Sequence, residues 1–366
     1  MAWIAIADHS GTEFDARGLG PHGARPDAHL GPIAANMLVE RGTLMIETGL
    51  SSQPRPRPLL TFQSTIGGPL QINLQSIPGG GMTLAIANGD DLQHCAISHA
   101  ETGRTDLLRI LYCWDGPARR GLVAVERTGS SAVTLVPIKD PRPILMRDLR
   151  ALCLGGEQRL ISDDVSFFAV ATHIERVGPS PTLTPETPVA TPLGYRPVGQ
   201  LRRGDTVLTA KGETVPVLHR IDREVPARGT QRPIRLRAPY FGLKQDIEVA
   251  PDQRLVIRGS EVEYLFGHEA VLVPARHLAG ASAAMPTFRA GTVRYCQVLL
   301  PDHEVLDAAG TAAESLYIGR IRRKRRLLAA SLLADLDQAY LPDQGVSAYP
   351  VLRAYDAQVL ADYRAA

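Results

Sequence analysis

The sequence predicts an all-β fold, with a β-sandwich followed by a second all-β domain and a short helix near the C-terminus. Glycine (33 residues) and proline (28) are abundant among the 366 residues, and this composition favours many short strands joined by turns. Short alternating segments end roughly every ten residues in turn sequences such as PGGG, NGDD and TGSS, which is typical of a sandwich. Sustained helical periodicity is found only close to the C-terminus.

Composition and periodicity divide the chain into five consecutive segments. A lead-in (1–28) without sustained periodicity, either loose or one edge strand, precedes the sandwich (29–176). A linker rich in Pro and Thr (177–187) overlaps the start of the second domain (182–320), and a helical tail (321–366) follows. One short helix is also predicted inside the first domain, over MRDLRALCL (146–154).

The tail is predicted to contain an amphipathic helix over residues 322–339. Leucines recur near one face of that helix, at positions 327, 328, 332, 333 and 336. The helix begins in the basic run Arg320–Arg326, which has only Ile321 as an uncharged member. The run is either a solvated helix start or a contact for nucleic acid or an anionic membrane.

Charge and hydropathy exclude several classes of protein. The formal net charge is +2 and charged residues make up 21% of the chain, which argues against a dedicated nucleic-acid binder. No eighteen-residue apolar run is present, so no membrane span is predicted. The first residues lack a basic region before their apolar stretch and are a poor signal peptide. We therefore expect a cytoplasmic protein or one exported without a signal; the oligomeric state stays open.

No cofactor or metal is predicted. The four cysteines, at 95, 113, 153 and 296, lack the close spacing of a zinc or redox motif, and we expect four free, mostly buried thiols. A Cys95–Cys113 disulfide between neighbouring strands is the alternative. His219, His268 and His277 fall on separate predicted strands without the spacing of a helical ligand pair. Neither a serine nucleophile elbow nor a phosphate-binding loop occurs.

Four segments of the second domain carry a resemblance to a known family. They are TPETPVATPLGYRPVGQLRRGDTVLTAKG (184–212), VAPDQRLVIRG (249–259), EAVLVPARHL (269–278) and DHEVLDAAGTAAES (302–315). In this order they resemble the Hint family, the module shared by Hedgehog proteins and inteins, and more narrowly a bacterial subfamily of Hint-domain proteins. The resemblance spans residues 182–316 and implies a Hint-type β fold.

The resemblance also implies a chemistry of self-processing. In the family, a Cys at the first Hint residue attacks the preceding carbonyl in an N-to-S acyl shift, and a His in a middle motif polarises that amide. Here the first position holds Thr182, in Thr-Leu-Thr-Pro instead of the usual Cys-Phe-Thr-Pro, and Gln253 stands in the histidine position. A hydroxyl is far less acidic than a thiol, and an amide cannot shuttle a proton.

Two further observations bear on the site. No Asn follows Asn88, so the Asn cyclisation of inteins has no residue to use. His303 and Glu304 partly match the family's late Asp-x-His-Glu segment, and His303 is either a surviving site residue or a hydrogen-bonded residue of a strand. Thr182, Gln253 and His303 are therefore the candidate catalytic positions, and we expect them to be inactive.

The first domain weakly resembles laminin-G-like or concanavalin-like sandwiches. The resemblance rests on GTLMIE (42–47) and LLRILYCWDGPARRGLVAVE (107–126). Trp114 and Tyr112 either stack on a sugar ring or belong to the core.

We therefore expect a degenerate Hint-domain protein that binds a protein or glycan ligand through its sandwich, or acts as a scaffold. A self-cleaving enzyme that uses Thr182 in an N-to-O acyl shift is one alternative. A carbohydrate-binding module on the sandwich is the other.

Overall fold

A computed structural model describes residues 2–25, 35–50, 55–64, 70–98, 106–130, 132–156, 158–279 and 282–365. The chain divides into two compact units. The first comprises residues 1–178 with Ala290–Thr292, and the second comprises Pro179–Arg289 with Val293–Ala366. Strands predominate in both units, which confirms the predicted fold class.

The described residues of the first unit form antiparallel strands and the helix α1 (Met146–Leu154). Its elements are β1 (Trp3–Ala7), β2 (Thr12–Phe14), β3 (Leu38–Val39), β4 (Arg41–Leu50), β5 (Arg57–Gln63), β6 (Leu70–Ile77), β7 (Gly81–Asn88), β8 (Asp91–Ser98), β9 (Asp106–Asp115), β10 (Arg120–Arg127), β11 (Val133–Lys139), β12 (Ile144–Leu145), α1 (Met146–Leu154), β13 (Arg159–Ile161) and β14 (Val165–Ala171). The helix α1 occupies the residues predicted for it.

The strands of the first unit form a sandwich. A seven-stranded sheet has the order β11-β10-β9-β4-β14-β1-β2, a five-stranded sheet has the order β13-β5-β6-β7-β8, and β12 pairs with β3. Side chains from both large sheets meet in one buried cluster, because alternate residues of each strand point to the same face. The predicted lead-in supplies β1 and β2, and all five residues of β1 are buried.

Trp114 and Tyr112 belong to this core, so the interpretation as core residues is confirmed and the alternative of sugar stacking by these two residues is wrong. Both side chains are buried, and their rings stack with centroids 5.7 Å apart. The indole Nε1 of Trp114 donates a hydrogen bond to the carbonyl of Val39 at 2.9 Å. Gly42 packs directly against the indole, because a Cβ at that position would lie 2.3 Å from Cζ2 of the ring.

The second unit is built from short strands and four helices among its described residues. They are β15 (Pro188–Thr191), β16 (Gly194–Pro197), β17 (Thr206–Leu208), β18 (Thr214–Pro216), β19 (His219–Pro226), β20 (Ile234–Leu236), β21 (Ile247–Val249), β22 (Arg254–Arg258), α2 (Ser260–Phe266), β23 (Ala270–Pro274), α3 (Ala275–Leu278), β24 (Ala284–Pro286), β25 (Thr292–Leu299), β26 (Val305–Ala308), β27 (Thr311–Glu314), α4 (Arg325–Ala330) and α5 (Ala354–Ala365).

Four small sheets organise the second unit. A six-stranded sheet has the order β16-β15-β26-β27-β22-β23, a three-stranded sheet has the order β21-β20-β24, and β17–β18 and β19–β25 are pairs. At the edge of the six-stranded sheet, the backbone of Leu272 in β23 hydrogen-bonds to Pro350 and Leu352 of the tail. The tail is therefore part of the fold of this unit.

The continuous helix predicted over residues 322–339 is wrong. Only α4 is α-helical there, and it ends before Ser331, whose backbone is extended (φ −96°, ψ 168°). The Ser331 hydroxyl donates to the carbonyl of Leu328 and accepts from the amide of Leu333, a local bond that competes with helical pairing. The leucines nevertheless pack as a group, since Leu328 and Leu333 are buried and three others lie against the same cluster.

The cysteines are all free and buried, as predicted. Cys95 lies on β8 and Cys113 on β9, which belong to different sheets, so the alternative disulfide is wrong. Among the described residues, no helix is long and apolar enough to cross a membrane.

Candidate functional site

Thr182 is held at the start of the second unit by backbone pairing on both sides. Leu183, its neighbour, exchanges hydrogen bonds with Cys296 of β25, at 3.2 Å and 2.7 Å. The carbonyl of Thr182 accepts a bond of 2.7 Å from the amide of Ala250, just after β21. Leu183 belongs to the apolar core, and the Thr182 side chain is also buried. This pairing fixes the position of Thr182.

Gln253 lies at the end of the turn that leads into β22. Its amide donates to the carbonyl of Ala250 at 3.0 Å, and its side chain is completely buried. The Thr182 hydroxyl donates a hydrogen bond of 2.6 Å to Gln253 Oε1. The structure therefore brings together the two residues that the sequence placed in the nucleophile and histidine positions.

The orientation of the Gln253 amide follows from its other partners. Nε2 donates to the carbonyls of Arg254 (2.8 Å) and Glu314 (3.3 Å). Gln297 Nε2 donates to the same Glu314 carbonyl at 2.6 Å and approaches Gln253 Oε1 at 3.4 Å. Because both N–H groups of Gln253 meet carbonyl acceptors, its oxygen must face the Thr182 hydroxyl.

His303 lies in a neighbouring cluster and forms no hydrogen bond with Thr182 or Gln253. Its Nδ1 accepts a bond of 3.0 Å from the amide of Ala348, so the neutral ring carries its proton on Nε2. Nε2 is 3.4 Å from Glu314 Oε2, and Arg254 approaches the same carboxylate at 3.2 Å. Glu314 thus links the two clusters, through its carbonyl on one side and its carboxylate on the other.

Cys296 is the one cysteine of the second unit, and its thiol is engaged by an acid. Sγ donates to Asp222 Oδ1 at 2.8 Å, and Arg294 and Arg220 also donate to that carboxylate. Burial and the bond to Asp222 raise the pKa of the Cys296 thiol to about 12. The thiol is therefore protonated at neutral pH and is a poor nucleophile.

Gln297 and Glu314 are the members of the site that sequence reasoning missed. Gln297 is a single amide in a strand of mixed composition, and Glu314 takes part through its main chain, so neither has a recognisable pattern. The three histidines considered as ligands are separate, with His219 on β19, His277 in α3 and His268 ahead of β23. Within the described ranges, no three His, Cys, Asp or Glu side chains are grouped to hold a metal ion.

The arrangement defines a class of domain. It is an all-β domain. Near its start the backbone of Leu183 pairs with β25, and the hydroxyl of Thr182 meets Gln253, a turn residue, in a buried polar centre. Residues 181–320 match the family model described as the Hint domain, and this part of the chain is a Hint domain.

Similar solved structures accompany the family match. One is the MchDnaB-1 intein, with 16% identity and a TM-score of 0.26, covering 36% of this chain and 98% of that one. Another is the CBM40 of the Ruminococcus gnavus IT-sialidase bound to alpha2,3 sialyllactose, with 16% identity and a TM-score of 0.28, covering 47% of this chain and 90% of that one. No curated protein matches the chain.

Proposed function

We propose that the Hint domain of this protein does not process its own chain, and that the protein acts as a binding or scaffold module. The observation that carries the proposal is the hydrogen bond of 2.6 Å from Thr182 to Gln253. The acceptor of the hydroxyl proton is a neutral amide oxygen, which is not a base. A threonine nucleophile needs an adjacent base to be activated.

Gln253 also supplies no hydrogen-bond donor that could polarise the peptide bond between Pro181 and Thr182. Both N–H groups of Gln253 are occupied by the carbonyls of Arg254 and Glu314. Removing one donor from an oxyanion-type site typically costs about 10²–10³ in rate. Cys296 does not replace the missing thiol, because its sulfur is protonated and bound to Asp222.

The purified protein should keep its full mass of 39.6 kDa for days, with or without dithiothreitol or hydroxylamine. Intact-mass spectrometry of freshly prepared and aged samples checks this. Thr182→Ala and Thr184→Ala form a matched pair, since both threonines are buried and close in sequence. Fragments that meet at Pro181 and Thr182, and that disappear in Thr182→Ala but persist in Thr184→Ala, would instead establish the N-to-O acyl shift.

A glycan ligand for the sandwich is a second candidate, and the outer face of β6, β7 and β8 favours it. The inward residues of these strands form the core, and the outward residues pair across the sheet as Gln71–Ala87–Leu92, Asn73–Ala85–His94 and Gln75–Thr83–Ala96. None of these outward residues is Asp, Glu, Lys or Arg. Neutral amides flank small side chains on β7, and such groups can donate to and accept from sugar hydroxyls.

Asn73→Ala should weaken binding of a neutral oligosaccharide by up to roughly tenfold, because a lost hydrogen bond is worth about 0.5–1.5 kcal/mol. A glycan array probed with the full chain would identify the ligand, and titration calorimetry would measure the loss. Gln245→Ala is the control, since Gln245 is an exposed amide of the second unit. Equal binding by both variants would exclude this face.

A further inference from the structure

Two arginines lie over the ring of an exposed phenylalanine on the second unit, and three more follow on its loop and on the neighbouring sheet. The side chain of Phe288 is 78% exposed, and the guanidinium carbons of Arg232 and Arg228 lie over its ring, 5.3 and 5.8 Å from the centroid. The Phe288 surface, as we name it, consists of Phe288 and Met285 with arginines 228, 232, 235, 237 and 289.

The arginines beside Phe288 are held in place by the loop that carries it. Arg228 donates to the carbonyl of Arg289 at 2.6 Å, and Arg232 Nε donates to the carbonyl of Thr287 at 3.1 Å. Both guanidinium groups are therefore tied to the backbone on either side of Phe288. Their positions relative to the ring are set before any partner arrives, which lowers the entropy lost on binding.

The outer face of the sheet β21-β20-β24 continues this surface. Arg235 of β20 lies opposite Met285 of β24, which is 45% exposed. On its other side Arg235 faces Glu248 of β21, and Glu248 is ion-paired with both Arg235 and Arg289. Arg237 is exposed and donates to the carbonyl of Ser282.

Charge is concentrated on the Phe288 surface. Five guanidinium groups face the carboxylates of Glu248 and of Asp246, which precedes β21, so the positive charge of this surface exceeds its negative charge, although the whole chain carries only +2. Like charges gathered in this way repel one another, so an anionic partner is favoured. The two exposed apolar side chains at the centre add an affinity for an apolar medium.

We propose that the Phe288 surface binds the anionic face of a phospholipid bilayer. Phe288 and Met285 enter the interfacial layer, where aromatic side chains are stable, and the arginines contact lipid phosphates at the same depth. Single-stranded nucleic acid fits less well, because successive bases stack on several aromatic side chains along a groove, and Phe288 is the one aromatic residue of the Phe288 surface. The proposal names a partner for the binding role and does not depend on the chemistry at Thr182.

Flotation of the full chain with lipid vesicles tests this proposal. Vesicles of phosphatidylcholine and phosphatidylserine in equal parts should bind the protein, whereas pure phosphatidylcholine vesicles should not, and high salt should release it. Arg235→Gln should weaken binding roughly fivefold, the ordinary effect of one cation near an anionic membrane. Phe288→Ala should weaken it roughly tenfold, since the ring loses its insertion.

Tyr264→Ala is the matched aromatic control, because Tyr264 lies in α2 outside the surface and is also 78% exposed. Its binding should be unchanged.

Arg325→Gln, in the basic run before and within α4, is the charge control. Loss of binding in Arg325→Gln with none in Arg235→Gln would overturn the proposal in favour of the basic run. Failure to bind vesicles that contain phosphatidylserine, together with Phe288-dependent binding of a single-stranded oligonucleotide, would show that the partner is nucleic acid and not a membrane. Whether the chain cleaves itself at Thr182 is measured separately, by its intact mass, so the two proposals can fail independently.

Discussion

Leu333→Asp should lower the free energy of unfolding of the second unit by about 4 kcal/mol or more. Leu333 is fully buried, in a cluster with Ile221, Leu299 and Leu316 that also includes Leu328 of α4. The substitution removes this apolar packing and puts a carboxylate where it has neither water nor a partner. Urea unfolding followed by circular dichroism would measure the change.

Leu193→Asp is the control for this experiment. Leu193 lies in the turn between β15 and β16 and its side chain is 94% exposed, so the same chemical change should alter stability by less than about 0.5 kcal/mol. Equal unfolding midpoints for the two variants would show that the tail does not stabilise the unit, contrary to the packing described above.

The tail illustrates what a periodic pattern predicts. The spacing of the leucines correctly indicated a group of buried side chains, but not the backbone that buries them. A helix beginning in five consecutive cations has an unfavourable interaction with its own dipole, and Ser331 offers the backbone a competing hydrogen bond. The chain therefore forms one short helix and then turns, while Leu328 and Leu333 still reach the same cluster.

The aromatic pair of the sandwich illustrates a second limit. Alternation predicts that Tyr112 and Trp114 share one face of β9, and both do lie on one face. It does not say whether that face meets solvent or the second sheet, because both faces of β9 carry apolar residues. Val39, whose carbonyl accepts from the Trp114 indole, is 75 residues away in sequence, so the contact depends on tertiary pairing.

The centre of the Hint domain was the part best indicated by sequence. The ordered motifs identified Thr182 and Gln253, and the structure joins them directly. The partners that orient Gln253 could not be predicted, because one is Gln297 in β25 and another is the main-chain carbonyl of Glu314 in β27. Their proximity arises from how β22, β25 and β27 come together, and a main-chain acceptor leaves no residue-type signal.

Restoring the two absent groups together should restore thiol-dependent cleavage. In Thr182→Cys with Gln253→His, a thiol and an imidazole replace side chains that already meet at 2.6 Å. A free thiol is a few per cent ionised at neutral pH, and a neighbouring imidazole increases that fraction. General acid–base assistance typically contributes about 10²–10⁴ in rate. We expect dithiothreitol to release a fragment ending at Pro181, detectable by intact mass.

Each single variant should remain intact, because each lacks one of the two contributions. Thr184→Cys with Gln253→His is the position control, since it supplies the same groups with the thiol two residues away from the first Hint position. A double variant that folds normally but stays intact would contradict the idea that these two replacements alone silence the site. Inactivity would then lie in the surrounding groups, first of all in Gln297 and the carbonyls of Arg254 and Glu314, because a neutral imidazole has one N–H and cannot reproduce all of their bonds to Gln253.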